Sequence, residues 1–431
     1  MQAAGVKRGY IVWDAKQGAP AASHAVLQPL LEYVRQDRVD YKEHEGLFFE
    51  AYEDCLFGAF VWRTQRGQSC GGIRLRKYDS AESWMVDGMR LAIGMGRKSA
   101  LAGLWWGGGK GVIAAGEDAG VVADAARRAQ MLRAYGRFVT SLRGCYVGAE
   151  DAGICVADMD VVYQTTRFLT CISPALGGSG NPSVPTAMGI VCGMEGALAA
   201  LDMGDLRGKS VAVQGVGNVG GPLVGFLLDK GVARVVAADV DAERCAQVLR
   251  ENQAHKARLT VHASKDYPIL EEQVDIVSPC AFGGVLNERS VPRIRAKIVC
   301  GAANNQLLDP SSDYGMSKRG TTYVPDFLCN RMGIVSCADE GLGRVGEPGG
   351  VEDPLVAKHL DNANPQGVFQ VAKDVIKRAA REGVSTASMA EKMADQAVLQ
   401  CNPLYGHRSL AIINRLVLDG WAKGKGDATR V

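Results

Sequence analysis

The run Ser210-Val211-Ala212-Val213-Gln214 is continuously apolar in its middle, as a strand buried on both faces requires. It ends directly in Gly215-Val216-Gly217-Asn218-Val219-Gly220, and a helical stretch with Leu223, Phe226 and Leu227 follows at once. That order constrains the fold more than any other feature of the chain. The first glycine permits a tight turn, the second lets backbone approach a pyrophosphate, and the third lets helix and strand pack closely. A pyrophosphate then rests at the helix N-terminus. Asp239 ends the next apolar run 19 residues past Gly220, where a carboxylate accepts hydrogen bonds from a ribose diol. An acid there repels a 2′-phosphate, which favours NAD over NADP, although Arg244 lies close enough in sequence to matter.

Beyond the glycines, short apolar runs alternate with helical segments: 235–238, 259–261, 276–277 and 298–300. This rhythm predicts βαβ units, a parallel sheet with helices on both sides and an α/β class. Upstream the texture differs. A lead-in of about 40 residues places Leu27, Leu30, Leu31, Tyr33 and Val34 at helical spacing, and β-rich runs cover 47–52 and 57–62. Asp79 and Glu82 suggest a capping box opening a helix through Met85, Met89 and Ile93 to about Lys98. A glycine-rich loop at 107–111 and a helix over 122–142 follow, another helix spans 186–202, and the last 70 residues read as helices 368–382, 388–400 and 407–422.

Glycine supplies 53 of 431 residues, or about 12% against the usual 7% or so. With no G-X-Y period, only 15 prolines and 47% hydrophobic residues, collagen and low-complexity disorder are excluded. The balance of 49 basic and 47 acidic residues argues against a nucleic-acid or membrane partner. No stretch approaches 18 uninterrupted apolar residues, and Tyr10–Trp13 is too short for a signal-peptide core, so a cytoplasmic protein is expected. The 12 cysteines form no Cys-x-x-Cys pair and read as reduced, mostly buried thiols. His44-Glu45 lacks a second histidine four residues on, where Phe48 stands, and no metal site is expected.

Gly107-Gly108-Gly109-Lys110 is not a phosphate-binding P-loop, because Leu104 and Gly111 stand where that motif needs glycine and Ser or Thr. Lys110 therefore needs another task. Lys98 lies 12 residues earlier at the end of a helix. If both enter one cleft, repulsion and desolvation lower one amine toward neutrality, fit to act as a base while its charged partner holds a carboxylate. The alternative is two solvated surface lysines.

Several blocks resemble, in order, the glutamate/leucine/phenylalanine/valine dehydrogenases, the leucine dehydrogenase-like members above all. They are Gly71-Gly72-Ile73-Arg74, Lys98, Gly107–Lys110, Ala149-Glu150-Asp151-Ala152-Gly153, Gly180-Asn181-Pro182-Ser183, the 215–220 fingerprint, Pro279-Cys280-Ala281, Gly301–Leu307 and Ala338-Asp339-Glu340. The resemblance implies a substrate and dimerisation domain over 1–175, a Rossmann NAD domain over 176–345, and C-terminal helices over 346–431 packing back on the first domain, around a cleft that closes on substrate. It also implies a homo-oligomer and the reversible oxidative deamination of an L-amino acid to a 2-oxo acid and ammonia. By position, Lys98 would bind the substrate carboxylate, Lys110 would activate water, and Asp151 would move protons at the amino nitrogen. Thr186 would hold the nicotinamide carboxamide, with Ala281 and Asn304 or Asn305 near cofactor and substrate.

Glutamate-specific members carry a lysine just before the Gly71-Gly72 block, where this chain has Cys70. The pocket positions beside Gly72 match Ala149, Ile334 and Cys337, all uncharged. A charged side chain would be desolvated there without a partner, so a branched-chain or aromatic substrate is expected. The family's Asn-Ala-Gly-Gly turn reads Asn330-Arg331-Met332-Gly333 here. Arg331 is expected at solvent, with recognition of an unusual polar substrate as the alternative. Trp105-Trp106 read as core or wall, and the glycine-rich 341–350 segment has no counterpart. These departures leave open a specialised enzyme that aminates or processes the imine of a non-proteinogenic 2-oxo acid. A non-catalytic NAD-binding regulator is disfavoured because Lys98, Lys110 and Asp151 are all present.

Overall fold

The computed structural model describes residues 1–36, 40–116, 124–346 and 350–424. Residues 122–123 of the expected helix and 347–349 of the glycine-rich segment lie outside these. Two compact units are present, one of Met1–Gly180, Glu340–Gly343 and Asp395–Val431, the other of Asn181–Asp339 and Arg344–Ala394.

The first unit is a seven-stranded mixed sheet. Its strands are β1 (Arg8–Asp14), β2 (Ala19–Ala22), β3 (His44–Tyr52), β4 (Cys55–Trp62), β5 (Ser69–Arg76), β6 (Gly107–Ala114) and β7 (Tyr146–Glu150), in the order β2-β1-β3-β4-β6-β5-β7. β5 runs parallel to β6 and β7, and the other pairs are antiparallel. Alternation along β3 and β4 feeds two cores. Phe48, Phe57 and Val61 join Met131, Tyr135 and Phe138 of the helix Ala125–Ser141. Phe49, Phe60 and Trp62 join Trp84, Met85 and Met89 of the helix Ala81–Leu101. The lead-in is more than the expected helix, Gln28–Gln36, since β1 and β2 extend the sheet.

Two expectations are corrected here. The helix cap is Ser80 with Ser83, one residue later than Asp79 with Glu82. The glycine-rich loop at 107–111 is strand β6, in the middle of the sheet, and none of its glycines has positive φ. The glycines serve close packing instead. A Cβ at Gly108 would lie 2.3 Å from the Ala92 carbonyl oxygen of the helix laid across it, and Gly96 of that helix approaches Gly108 in return.

The second unit carries six parallel strands: β8 (Ser210–Gln214), β9 (Arg234–Asp239), β10 (Leu259–Ala263), β11 (Ile276–Pro279), β12 (Ile298–Val299) and β13 (Thr322–Tyr323). Their order, β10-β9-β8-β11-β12-β13, is that of a doubly wound dinucleotide-binding sheet, with the strand order reversing at β8. Val211, Ala212 and Val213 are fully buried, as a doubly covered strand demands. The helix Ser183–Ala200 is long and apolar enough to span a membrane, but 67% of it is buried here as a core helix.

The C-terminal helices do not return as one block. Residues 344–394 belong to the second unit and only 395–431 to the first. The reason is packing: the helix Val368–Glu382 buries Val368, Val371, Ala372, Val375, Ile376 and Ala379. Its Phe369 carbonyl sits so near Gly196 of the helix Ser183–Ala200 that a Cβ there would come within 2.4 Å.

Candidate active site

In the first unit the chemistry gathers on one face of β5 and β6. Cys70 pairs with Gly108 and Arg74 with Val112, a register that sets Lys110 level with Gly72. Lys110 is 3% exposed, and its Nζ lies 2.8 Å from Asp151 Oδ2, just beyond the end of β7. Gly72 permits this approach, because a Cβ there would come within 2.5 Å of the Asp151 Cβ. Asp151 Oδ2 also accepts from Arg74 Nε at 2.9 Å, and Arg74 Nη1 donates to both Asp87 oxygens at 3.2 Å. Tyr78 closes the chain, its hydroxyl donating to Asp87 Oδ2 at 2.6 Å.

Electrostatics follow from this burial. Desolvation lowers Lys110 below the ordinary lysine value; Asp151 opposes the shift and the Arg74 charge adds to it. Burial works to raise Asp151, but Lys110 and Arg74 outweigh it and hold the carboxyl well below the usual range. A cation that this geometry places beside the pair is Arg74. Lys98 lies half-buried in the last turn of the helix Ala81–Leu101. Cys70 is fully buried and burial holds its thiol well above the ordinary value, so it is uncharged; Ala149 is buried on β7.

The second unit assembles a nucleotide cradle. Gly215 has φ +87°, a left-handed turn that disfavours side chains. A Cβ at Gly220 would lie 1.9 Å from the Gly215 carbonyl, and one at Gly215 would press on Ala281 at 2.8 Å. Asp239 Oδ2 accepts from Val216 N–H at 2.8 Å, which places the carboxylate against the turn. Asn218 is exposed and Val219 half-exposed where the helix Gly220–Asp229 begins. The left-handed turn at Gly215, its close packing on Gly220, the helix start and the adjacent acid together fit a dinucleotide. Thr186 is buried in the first turn of the helix Ser183–Ala200, donating to the Pro182 carbonyl at 2.8 Å. Asn304 and Asn305 are exposed, and Asn304 Oδ1 accepts from Asn330 Nδ2 at 2.9 Å. Ile334 and Cys337 are buried on the helix Met332–Gly341.

Arg331 corrects an expectation. It is fully buried rather than at solvent, its Nη2 donating to the Gln366 carbonyl and meeting His359 Nδ1 at 3.3 Å. Burial lowers its pKa to about 9. Met332 is fully buried against Gly189. The atypical turn is thus filled by packing within the second unit. Trp105 is 45% exposed with the Arg66 guanidinium 4.5 Å from its ring centroid, so it is not a core residue. All 12 cysteines are free and nine are buried, and the described residues contain no cluster suited to a metal ion.

Sequence reasoning passed over Asp87, Tyr78 and the contacts of Arg74 and Glu340. Two-residue spacing along β5 was the available signal for Arg74, since Gly72 and Arg74 must share a face. Glu340 had none: its carboxylate accepts from the backbone N–H groups of Cys171, Ile172 and Ser179, a loop remote in sequence.

Comparison with known proteins accords with this geometry. Residues 177–398 match the family model described as Glutamate/Leucine/Phenylalanine/Valine dehydrogenase, and residues 55–168 match the Glu/Leu/Phe/Val dehydrogenase dimerisation domain. The chain is 37% identical over 364 residues to a leucine dehydrogenase of Geobacillus stearothermophilus, covering 83% of this chain and 91% of the relative. It is 38% identical over 344 residues to a valine dehydrogenase of Streptomyces coelicolor, covering 79% and 87%. Among solved structures, L-tryptophan dehydrogenase from Nostoc punctiforme superposes with a TM-score of 0.68 at 28% identity, over 86% of this chain and 98% of that one. With the lysine–aspartate pair on one sheet and the dinucleotide turn on the other, the chain belongs to the glutamate/leucine/phenylalanine/valine dehydrogenase family.

Proposed function

We propose that this enzyme is an NAD-dependent L-amino-acid dehydrogenase that converts an apolar, branched-chain or aromatic L-amino acid to its 2-oxo acid and ammonia, reversibly. The observation that carries this reading is the buried Lys110–Asp151 pair at 2.8 Å, set beside a neutral Cys70. A side-chain carboxylate brought against Cys70 would lose its hydration with no cation at that position to replace it. The names of the relatives point the same way.

In this mechanism Lys98 pairs with the substrate α-carboxylate and orients the α-carbon. Gly215, Gly217, Asn218, Val219, Gly220 and Asp239 hold the dinucleotide, with Ala281, Thr186, Asn304 and Asn305 near its nicotinamide end. The bound dinucleotide would supply the hydride acceptor for oxidation at the α-carbon. Asp151 takes a proton from the substrate ammonium, and Lys110, as a free amine, deprotonates the water that attacks the iminium. Asp151 then returns its proton to the amino nitrogen; Lys110, having released its first proton to solvent, takes the proton of the carbinolamine hydroxyl, and ammonia departs. Within the first unit, Gly72 and Ala149 would line the substrate side chain.

A second reading is amination of a bulky non-proteinogenic 2-oxo acid, prompted by the atypical Arg331-Met332 turn and Trp105-Trp106; the likeness to a tryptophan dehydrogenase sides with the first. One experiment separates the two: NADH formation with a panel of L-amino acids at alkaline pH, and NADH consumption with the matching oxo acids plus ammonium. Turnover of leucine, valine or phenylalanine supports the first; activity confined to bulky oxo acids supports the second. Failure with every apolar substrate defeats both. We further propose a cytoplasmic homo-oligomer, supported by the dimerisation-domain match and the near-neutral charge, and tested by light scattering after gel filtration.

A further inference from the structure

Lys110 and Asp151 do not form an isolated pair. Arg74 reaches Asp151 from β5 with Nε and turns Nη1 onto Asp87 of the helix Ala81–Leu101, while Tyr78 holds Asp87 from its far side. A single carboxylate oxygen, Oδ2, receives both Lys110 Nζ at 2.8 Å and Arg74 Nε at 2.9 Å. The arginine fork is rigid and planar, so fixing it at Asp87 fixes the direction from which it meets Asp151.

We propose that Arg74 is a positioning residue, gripped by Asp87, that turns Asp151 Oδ2 onto Lys110 and sets the charge on the pair. This inference rests on the lysine–aspartate mechanism above and adds to it a residue that acts through Asp151. The groups acting on the pair come from every element packed around it: Arg74 on β5, Asp87 on the helix Ala81–Leu101, and Glu150 and Tyr146 on β7. Arg74 is the cation among these, and it lowers both Asp151 and Lys110. Its charge therefore keeps Asp151 ionised and helps Lys110 shed its proton.

The sign follows directly. Removing the charge at 74 raises the titration of the coupled pair, so the limb along which kcat/KM for deamination rises with pH moves to higher pH. For Arg74→Gln the expected shift is about one pH unit, with kcat lower by about 10- to 100-fold, the worth of one charge-assisted hydrogen bond. NADH affinity, read by fluorescence, stays as in the parent. Arg74→Lys keeps the charge but cannot span Asp87 and Asp151 together. It is expected to hold the limb in place while kcat still falls.

The pH profiles of kcat and kcat/KM for both variants, with circular dichroism as a check on folding, decide the matter. An Arg74→Gln enzyme with the parent's limb overturns the proposal. So does an Arg74→Lys enzyme whose limb moves while its kcat holds, and this second variant decides alone if the first does not fold. Lys110→Ala, measured alongside, separates the two levels: an active Lys110→Ala sinks the mechanism, whereas an inactive one with an unmoved Arg74→Gln profile sinks only the role of Arg74.

Discussion

The chain has two runs of glycine that read alike and fold in opposite ways. Gly107–Gly111 is an extended central strand with no positive φ, whereas Gly215–Gly220 is a turn that begins at φ +87°. In the first run the missing side chains let a helix lie flat on the sheet, which carries Lys110 into a buried position. In the second they let the turn pack against Ala281 and the start of the following helix, and allow a backbone conformation that other residues resist. Glycine thus marks close approach in both places, and only the partner differs: a helix laid on the sheet in one, a tight turn closing on its own helix start in the other.

That contrast breaks first at Lys110. Lys110→Ala is expected to lower kcat by about 10²- to 10⁴-fold, with NADH binding, followed by fluorescence, left intact. In the parent, kcat/KM for deamination is expected to rise with pH through a limb below the ordinary lysine value of about 10.4, because burial favours the free amine. A limb at or above that value would deny Lys110 its role as base.

The glycines themselves sharpen the comparison. Gly220→Ala places a Cβ 1.9 Å from the Gly215 carbonyl and should weaken NADH binding about tenfold, or roughly 1.4 kcal/mol. Gly108→Ala should instead act on stability. Its Cβ meets the Ala92 carbonyl at 2.3 Å, and overpacking of this kind costs about 1–3 kcal/mol in thermal or denaturant unfolding. If Gly108→Ala weakened NADH binding and left the melting temperature alone, the two runs would share one role after all.

The smallest effect is expected from Gly94, inside the helix Ala81–Leu101. A Cβ there meets nothing within 4 Å, so Gly94→Ala should stabilise by about 0.5–1 kcal/mol through helix propensity alone. Loss of stability would show that this helix tolerates no added atom anywhere along its length.

Legibility in the sequence followed the range of the interactions. The second unit was readable because its signals are local: an apolar strand, three glycines and Asp239 within about 30 residues, each with its own steric reason. Lys110 and Asp151 emerged from their block patterns, though not from contact between them. Arg74, Asp87 and Tyr78 were missed as a group because each looks ordinary where it stands, and their meaning lies in pairings between β5 and a helix. The 107–111 strand was misread for a related reason. Four glycines among five positions leave Lys110 as the one side chain, too few to show alternation, so period-2 reading fails just where packing is tightest. The division of the C-terminal helices was hidden in the same way, since Phe369 against Gly196 is a contact across more than 170 residues.

The burial of Arg331 carries a consequence for anyone exchanging parts between relatives. Its guanidinium holds the Gln366 carbonyl and meets His359, so the turn at 330–333 and the segment from 359 to 367 behave as one inherited block. Trimming Arg331 to alanine would leave a vacancy of several heavy atoms and release that carbonyl. A graft of either piece alone would inherit half of a lock, and only the two transplanted together would fit.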